Sequence, residues 1–153
     1  MQVHEILGEP TGGGRRVGVV VASFNRVITD GLLAGALEAL EAAGTEQVTV
    51  VRVPGSLEVP LAARRLAQTG YDAVVAIGAV IKGETDHYEH VGSQSIAGIA
   101  SVSLSSGVPV GNAILTVTEF EHARDRSLPG PANKGLEAAK AVLAMVDALE
   151  KIG

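Results

Sequence analysis

The chain has 153 residues, a formal net charge of −5 and no cysteine. That length fits one domain, and 46% hydrophobic against 19% charged content excludes a disordered chain. The missing cysteines exclude disulfides and thiolate metal sites, and an acidic balance without a basic run argues against nucleic acid as a partner.

Residues 1–15 form a short head ending in Gly12-Gly13-Gly14, expected to be flexible or to bridge subunits. The run Arg16 to Ala22 reads as a strand, and similar runs follow at Gln47 to Val53, Ala73 to Val80 and Val108 to Leu115. Near-continuous hydrophobicity of this kind fits strands covered on both faces, as in a parallel sheet. The first helix is expected to be capped by Thr29 or Asp30, to carry Leu33, Leu37 and Leu40 at helical spacing, and to stop at Gly44. The second spans Glu58 to Thr69, with Pro60 in its first turn and Gly70 at its end. A smoother helix follows from Tyr88 to Ser105, marked by Val91, Ile96, Ile99 and Val102, then a short one from Glu119 to Arg126. Beyond Pro129-Gly130-Pro131, Asn133 can cap a last helix through Lys151 with Leu136, Ala139, Leu143 and Val146 on one side.

Strand alternating with helix predicts a single α/β domain over 1–153, a three-layer α/β/α sandwich on a four-stranded parallel, flavodoxin-like sheet. Two phenylalanines and two tyrosines leave the core to Val, Ile, Leu and Ala, which bury little area each. Further burial is therefore expected from neighbouring subunits. No segment approaches the roughly 20 apolar residues of a membrane span, and the head carries no apolar run of signal-peptide length, so no membrane and a cytoplasmic location are expected.

All four strand ends carry polar chemistry: Ser23-Phe24-Asn25, Pro54-Gly55-Ser56-Leu57-Glu58, Lys82 to His87, and Thr116 to Glu119. A parallel sheet puts them on one edge, where such folds bind ligands. Phe24 is either core packing or a stacking face for a planar ligand, and Glu58 either complements a helix dipole or binds substrate. Gly83-Glu84-Thr85 offers amides and a hydroxyl just ahead of a helix start, a phosphate site or an ordinary turn. His87 is a proton-transfer group or a structural residue, while Arg126 and Lys134 flank the proline loop as anion contacts or solvated charges. His87 and His90 on one helical turn are too few for a metal site without a third ligand, so no metal is expected. The glycines at 12 to 14 precede the first strand and make no dinucleotide fingerprint.

Four ordered motifs carry a resemblance over nearly the whole chain: Ser23-Phe24-Asn25 with Ile28-Thr29, Val53 to Pro60, Gly78 to Tyr88, and Asn133-Lys134-Gly135. With them the chain closely resembles the 6,7-dimethyl-8-ribityllumazine synthases of riboflavin synthesis. The resemblance implies condensation of 5-amino-6-(D-ribitylamino)uracil with 3,4-dihydroxy-2-butanone 4-phosphate, releasing phosphate and water, with no cofactor. It implies that Phe24, beside Asn25, stacks on the pyrimidine and that Ser56, Leu57 and Glu58 hold the ribityl chain. Ala79, Val80 and Ile81 would offer backbone contacts to the uracil edge. Gly83, Glu84 and Thr85 would bind the phosphate, with Arg126 reaching in across a subunit boundary and Lys134 nearby. His87 would move the protons.

Asn112 stands where many members place an aromatic residue, which leaves it a polar contact to the neighbouring subunit's substrate. Val117-Thr118 replaces a commoner Thr followed by an acidic residue. The loop Leu128 to Ala132 keeps the length found in shell-forming members but has two prolines in place of a Gly- and Lys-containing turn. At least a homopentamer is expected, the sixty-subunit icosahedral shell being the larger alternative. Three other readings compete: a structural pentamer or shell component with little activity, an archaeal-type riboflavin synthase, and a flavodoxin-like electron carrier. The intact set Phe24, Glu58, Thr85, His87 and Arg126 disfavours the first, the synthase motifs disfavour the second, and the absence of a Ser/Thr-rich phosphate loop disfavours the third.

Overall fold

A computed structural model describes residues 1–153. Four strands, β1 (Arg16–Ala22), β2 (Gln47–Val53), β3 (Ala73–Ile81) and β4 (Val110–Val117), form one all-parallel sheet in the order β2-β1-β3-β4. β1 and β3 are central and almost wholly buried, which is why they read as uninterrupted apolar runs. β4 starts two residues later than its hydrophobic run suggests. Pro109 has no N–H to give a ladder, but its carbonyl accepts from Val74, so pairing begins from Val110.

Helices α1 (Arg26–Ala42) and α5 (Lys134–Ile152) cover one face, and α2 (Val59–Ala67) and α3 (His87–Ser106) the other; α4 (Phe120–Asp125) follows β4. The larger core joins β1 and β3 to α1 and α5 through Val19, Ile77, Leu32, Leu40 and Leu143, with Ala123 of α4. The smaller lies under α2 and α3, around Val20, Val74, Val59, Ile99 and Ile114. On α1 the buried stripe is Ile28, Leu32, Ala36, Ala39 and Leu40 with Leu33, whereas Leu37 lies outside it. Val91 and Ile96 of α3 are only half-buried, Ile99 and Val102 fully so.

Neither Thr29 nor Asp30 caps α1. The helix starts at Arg26, and its cap is Asn25 in the left-handed conformation, φ 61°. Thr29 is buried inside the helix, and Asp30 pairs with Arg26 (3.3 Å) and Arg52 (3.0 Å). Asn133 does cap α5: its Oδ1 accepts from the N–H groups of Gly135 and Leu136, and its Nδ2 donates to the carbonyls of Gly31, Ser127 and Leu128. One buried amide thus fastens α5, α1 and the proline loop together.

The first twelve residues have no regular structure, and Met1, Val3, Ile6 and Leu7 are exposed. A charged clasp ties the end of this segment to α5. Asp147 accepts from the Glu9 N–H (2.7 Å), Lys151 donates to the Leu7 carbonyl (2.8 Å), and Arg15 pairs with Glu150. The Lys151 ammonium and the Glu9 N–H hold the Asp147 carboxyl below its ordinary range, and the Arg15 guanidinium does the same to Glu150. A depressed carboxylate contributes its stability above the unfolded pKa and loses it as pH falls through the folded value. The clasp should therefore persist through the ordinary carboxylate range and open only below it. Faster hydrogen exchange at the Glu9 amide under strongly acidic conditions, with the sheet still protected, is the expected result.

Candidate active site

A cleft of about 400 Å³ opens at the carboxyl edge of the sheet. Three strand ends meet there, and each is shaped by its own local sequence. After β1, the ladder to β2 continues through Ser23 N–H to the Val53 carbonyl (2.8 Å) and Phe24 N–H to the Pro54 carbonyl (3.1 Å). These bonds fix the Phe24 backbone while its ring stays 72% exposed at the cleft, which removes the core-packing reading. Asn25 then turns the chain. Its left-handed backbone is one that asparagine tolerates, and its Nδ2 donates to the Ala79 carbonyl (2.8 Å), lashing the β1 and β3 ends together.

The β2 end continues into a 3₁₀ turn, Ser56–Glu58, before Pro60 enters the first turn of α2. Ser56, Leu57 and Glu58 all line the cleft, Ser56 buried and the other two exposed. From β3 come Ala79, Val80 and Ile81, then Gly83, Thr85 and His87. The N–H groups of Gly83, Glu84, Thr85 and Asp86 donate to no group of the protein, while Thr85 Oγ1 accepts from His87 N–H (3.3 Å). A run of unspent amides leading into a helix start is suited to an anion. With an imidazole, a carboxylate and an aromatic face around it, the cleft offers the groups that anion binding and proton transfer need.

Not every candidate gathers there. Glu84 belongs to the amide turn but does not line the cleft. The fourth strand end, Thr116 to Glu119, stays out of it too: Thr116 packs against Gly92 of α3, and the Val117 carbonyl accepts from Lys82 N–H. Asn112 lies near the opposite end of β4, level with Ala76, and its Oδ1 accepts from Ile114 N–H. Arg126 and Lys134 are brought close to one another, since Lys134 N–H donates to the Arg126 carbonyl (2.9 Å), but on elements packed against the other face of the sheet. Lys134 is paired with Glu137 (3.0 Å), whereas the Arg126 guanidinium has no carboxylate partner and donates only to the His122 carbonyl. Gly55 and Tyr88, quoted above only as parts of motifs, and Val91, read only as a helix marker, also line the cleft. Val91 falls one turn after His87 on α3, so helical spacing alone could have found it. No three His, Asp or Glu side chains assemble as a metal-ligand set, and no helix is long and apolar enough to cross a membrane.

Fold and site together define a parallel α/β protein with a cleft, suited to an anionic ligand, at the carboxyl edge of its sheet. Residues 14–150 match the family model of 6,7-dimethyl-8-ribityllumazine synthase. The chain is 46% identical over 153 residues to a 6,7-dimethyl-8-ribityllumazine synthase of Thermococcus kodakarensis, covering 99% of this chain and 97% of that one. Proteins of the same name from Levilactobacillus brevis (44% identity; 97% and 96% covered) and Kineococcus radiotolerans (47%; 94% and 91% covered) are similarly close. The chain belongs to the 6,7-dimethyl-8-ribityllumazine synthase family.

Proposed function

We propose that the cleft joins 5-amino-6-(D-ribitylamino)uracil to 3,4-dihydroxy-2-butanone 4-phosphate, releasing phosphate and water, as one step of riboflavin biosynthesis. The observation that carries this reading is the cleft itself: an exposed aromatic face, a carboxylate-bearing turn and an unspent amide run converge with His87 at one sheet edge.

In this reading the pyrimidine stacks on Phe24 with its edge against the Ala79, Val80 and Ile81 backbone, and the ribityl hydroxyls meet Ser56 and Glu58 beside Leu57. Phosphate sits on the Gly83 to Thr85 turn. The amine attacks the ketone carbonyl; water leaves as the imine forms. Loss of a carbon-bound proton with rupture of the C–O bond then expels phosphate and leaves an enol, which tautomerises to a ketone; the ribitylamino nitrogen attacks that carbonyl, and a second water leaves as the ring closes. Phosphate is handle and leaving group at once, so donors aimed at its oxygens act most strongly as negative charge develops. His87, next to that turn, accepts and returns the protons. Much of the acceleration comes from holding two reactants in register.

No cation lines the cleft within one protomer, and an unpaired Arg126 lies beside Lys134 elsewhere on the same protomer. This supports a site completed by Arg126 and Lys134 of a second copy, with Asn112 as a polar contact from that copy, in a homo-oligomer of at least five subunits. The test is to mix both substrates with the pure protein and follow the fluorescent, yellow-green lumazine. Absence of product at native oligomer mass would overturn the assignment.

A further inference from the structure

Strand β3 is buried from Ala73 to Val80, yet it carries a glycine, Gly78, in its interior. Glycine weakens a strand and often marks a place where another group must come close. A Cβ at Gly78 would lie under 3.0 Å from Ser56 Oγ, 3.3 Å from Ser56 Cβ and 3.5 Å from Ile114 Cγ2. Other sheet glycines make room for helix packing: Gly18 faces Leu66, and Gly111 faces Val142 and the Ala138 backbone. At Gly78 alone among them the space is filled by the hydroxyl of a cleft residue.

Ser56 is only 7% exposed and lines the cleft; its hydroxyl bonds to no group of the protein, yet its oxygen is not among the buried polar atoms left without a partner and so stays open to the cleft. A hydroxyl with an open donor and acceptor at a cleft wall is free to bond whatever enters. A missing methyl and an unspent hydroxyl thus meet at one point of the cleft floor.

We propose that Gly78 is a positioning residue: its lack of a side chain lets the 3₁₀ turn seat Ser56 Oγ where it hydrogen-bonds a hydroxyl of the polyol chain of the pyrimidine substrate. The inference rests on the reading that the ribityl chain lies along Ser56 to Glu58. A site built to bond a substrate hydroxyl rejects an analogue lacking it far more strongly than an apolar site could. Gly78 therefore acts on substrate choice through Ser56, without touching the substrate.

The test compares Gly78→Ala, Ser56→Ala, Ser56→Gly and the double variant Ser56→Gly/Gly78→Ala. Steady-state kinetics are run with the ribityl substrate and with an analogue lacking the side-chain hydroxyls, and binding of an unreactive 5-nitro ribitylaminopyrimidine is measured by calorimetry. Ser56→Ala should raise KM for the ribityl substrate about tenfold, the equivalent of one hydrogen bond, leave kcat within about threefold, and narrow the preference over the deoxy analogue. Gly78→Ala should show the same split. On the Ser56→Gly background Gly78→Ala should add nothing, so that the double variant matches Ser56→Gly, because the crowding has been removed. A strand glycine with a merely structural role would add its own loss and leave the double variant clearly worse than Ser56→Gly. An unchanged preference in Ser56→Ala, or a double variant clearly worse than Ser56→Gly, overturns the proposal. Should Gly78→Ala fail to fold, Ser56→Gly and the double variant still decide. If the parent protein makes no lumazine yet binds the nitro compound through its polyol, and Ser56→Ala and Gly78→Ala both lose that binding, the function reading falls and the role of Gly78 stands.

Discussion

Arg126→Ala is expected to raise KM for the butanone phosphate about a hundredfold, close to 3 kcal/mol at 1.4 kcal/mol per tenfold. The guanidinium spends only one hydrogen bond within its own protomer, to the His122 carbonyl, and faces no carboxylate. It is therefore available as a charge-assisted partner for phosphate, and a bidentate one, so that Arg126→Lys should recover the loss only in part. Steady-state kinetics showing a parental KM in Arg126→Ala would remove the residue from the site. A sharper measurement follows from the shared-site reading. When Arg126→Ala and His87→Ala subunits are unfolded, mixed in equal amounts and reassembled, roughly a quarter of the clefts should pair an intact His87 with an intact neighbouring Arg126. Activity well above that of either variant is the expected result, and its absence would place both residues in one protomer's site.

His87→Ala is expected to slow turnover by about one to two orders of magnitude, the usual weight of a general acid–base group, without abolishing it. The residual rate reflects the chemistry: an amine and a ketone brought together condense without a protein proton donor, and positioning is untouched by this change. KM for the butanone phosphate should move little, since in the proposed site the phosphate sits on the Gly83 to Thr85 turn. Thr85 Oγ1 does accept from the His87 N–H, but that is a backbone bond which alanine preserves. The pH dependence of kcat should lose the imidazole's contribution. An unchanged kcat and pH profile would make His87 a structural residue.

β1 and β3 were legible because burial on both faces leaves long apolar runs, whereas β2, with the same apolar look, is an edge strand without a fully buried residue; the helix stops read at Gly44 and Gly70 fall where positive φ suits glycine. The start of α1 was not legible, because a rule that looks for Thr or Asp cannot see that Asn25 caps with its backbone alone. Its side chain is committed to Ala79, a contact 54 residues away in sequence. Within the cleft, Glu58, Thr85 and His87 could be chosen from their chemistry at strand ends. Arg126 could not: composition makes it one solvated charge among several, and only family resemblance drew it toward the phosphate. The relation between Gly78 and Ser56 needed coordinates, since nothing in a run of apolar residues says what lies over the missing methyl.

In the proposed site the two halves of the chemistry come from separate parts of the protomer. The cleft gathers residues from the turn after β1, the 3₁₀ turn, β3 and α3, while Arg126 directly follows α4 and Lys134 opens α5, both of which pack with the larger core. If a protomer lends its cations to one neighbour and borrows from another, the contact is head-to-tail. An open row would then always leave one cleft without its cations at one end and one pair of cations idle at the other. Only a closed ring gives every subunit a complete site, so loss of ring closure would cost activity before it cost any fold.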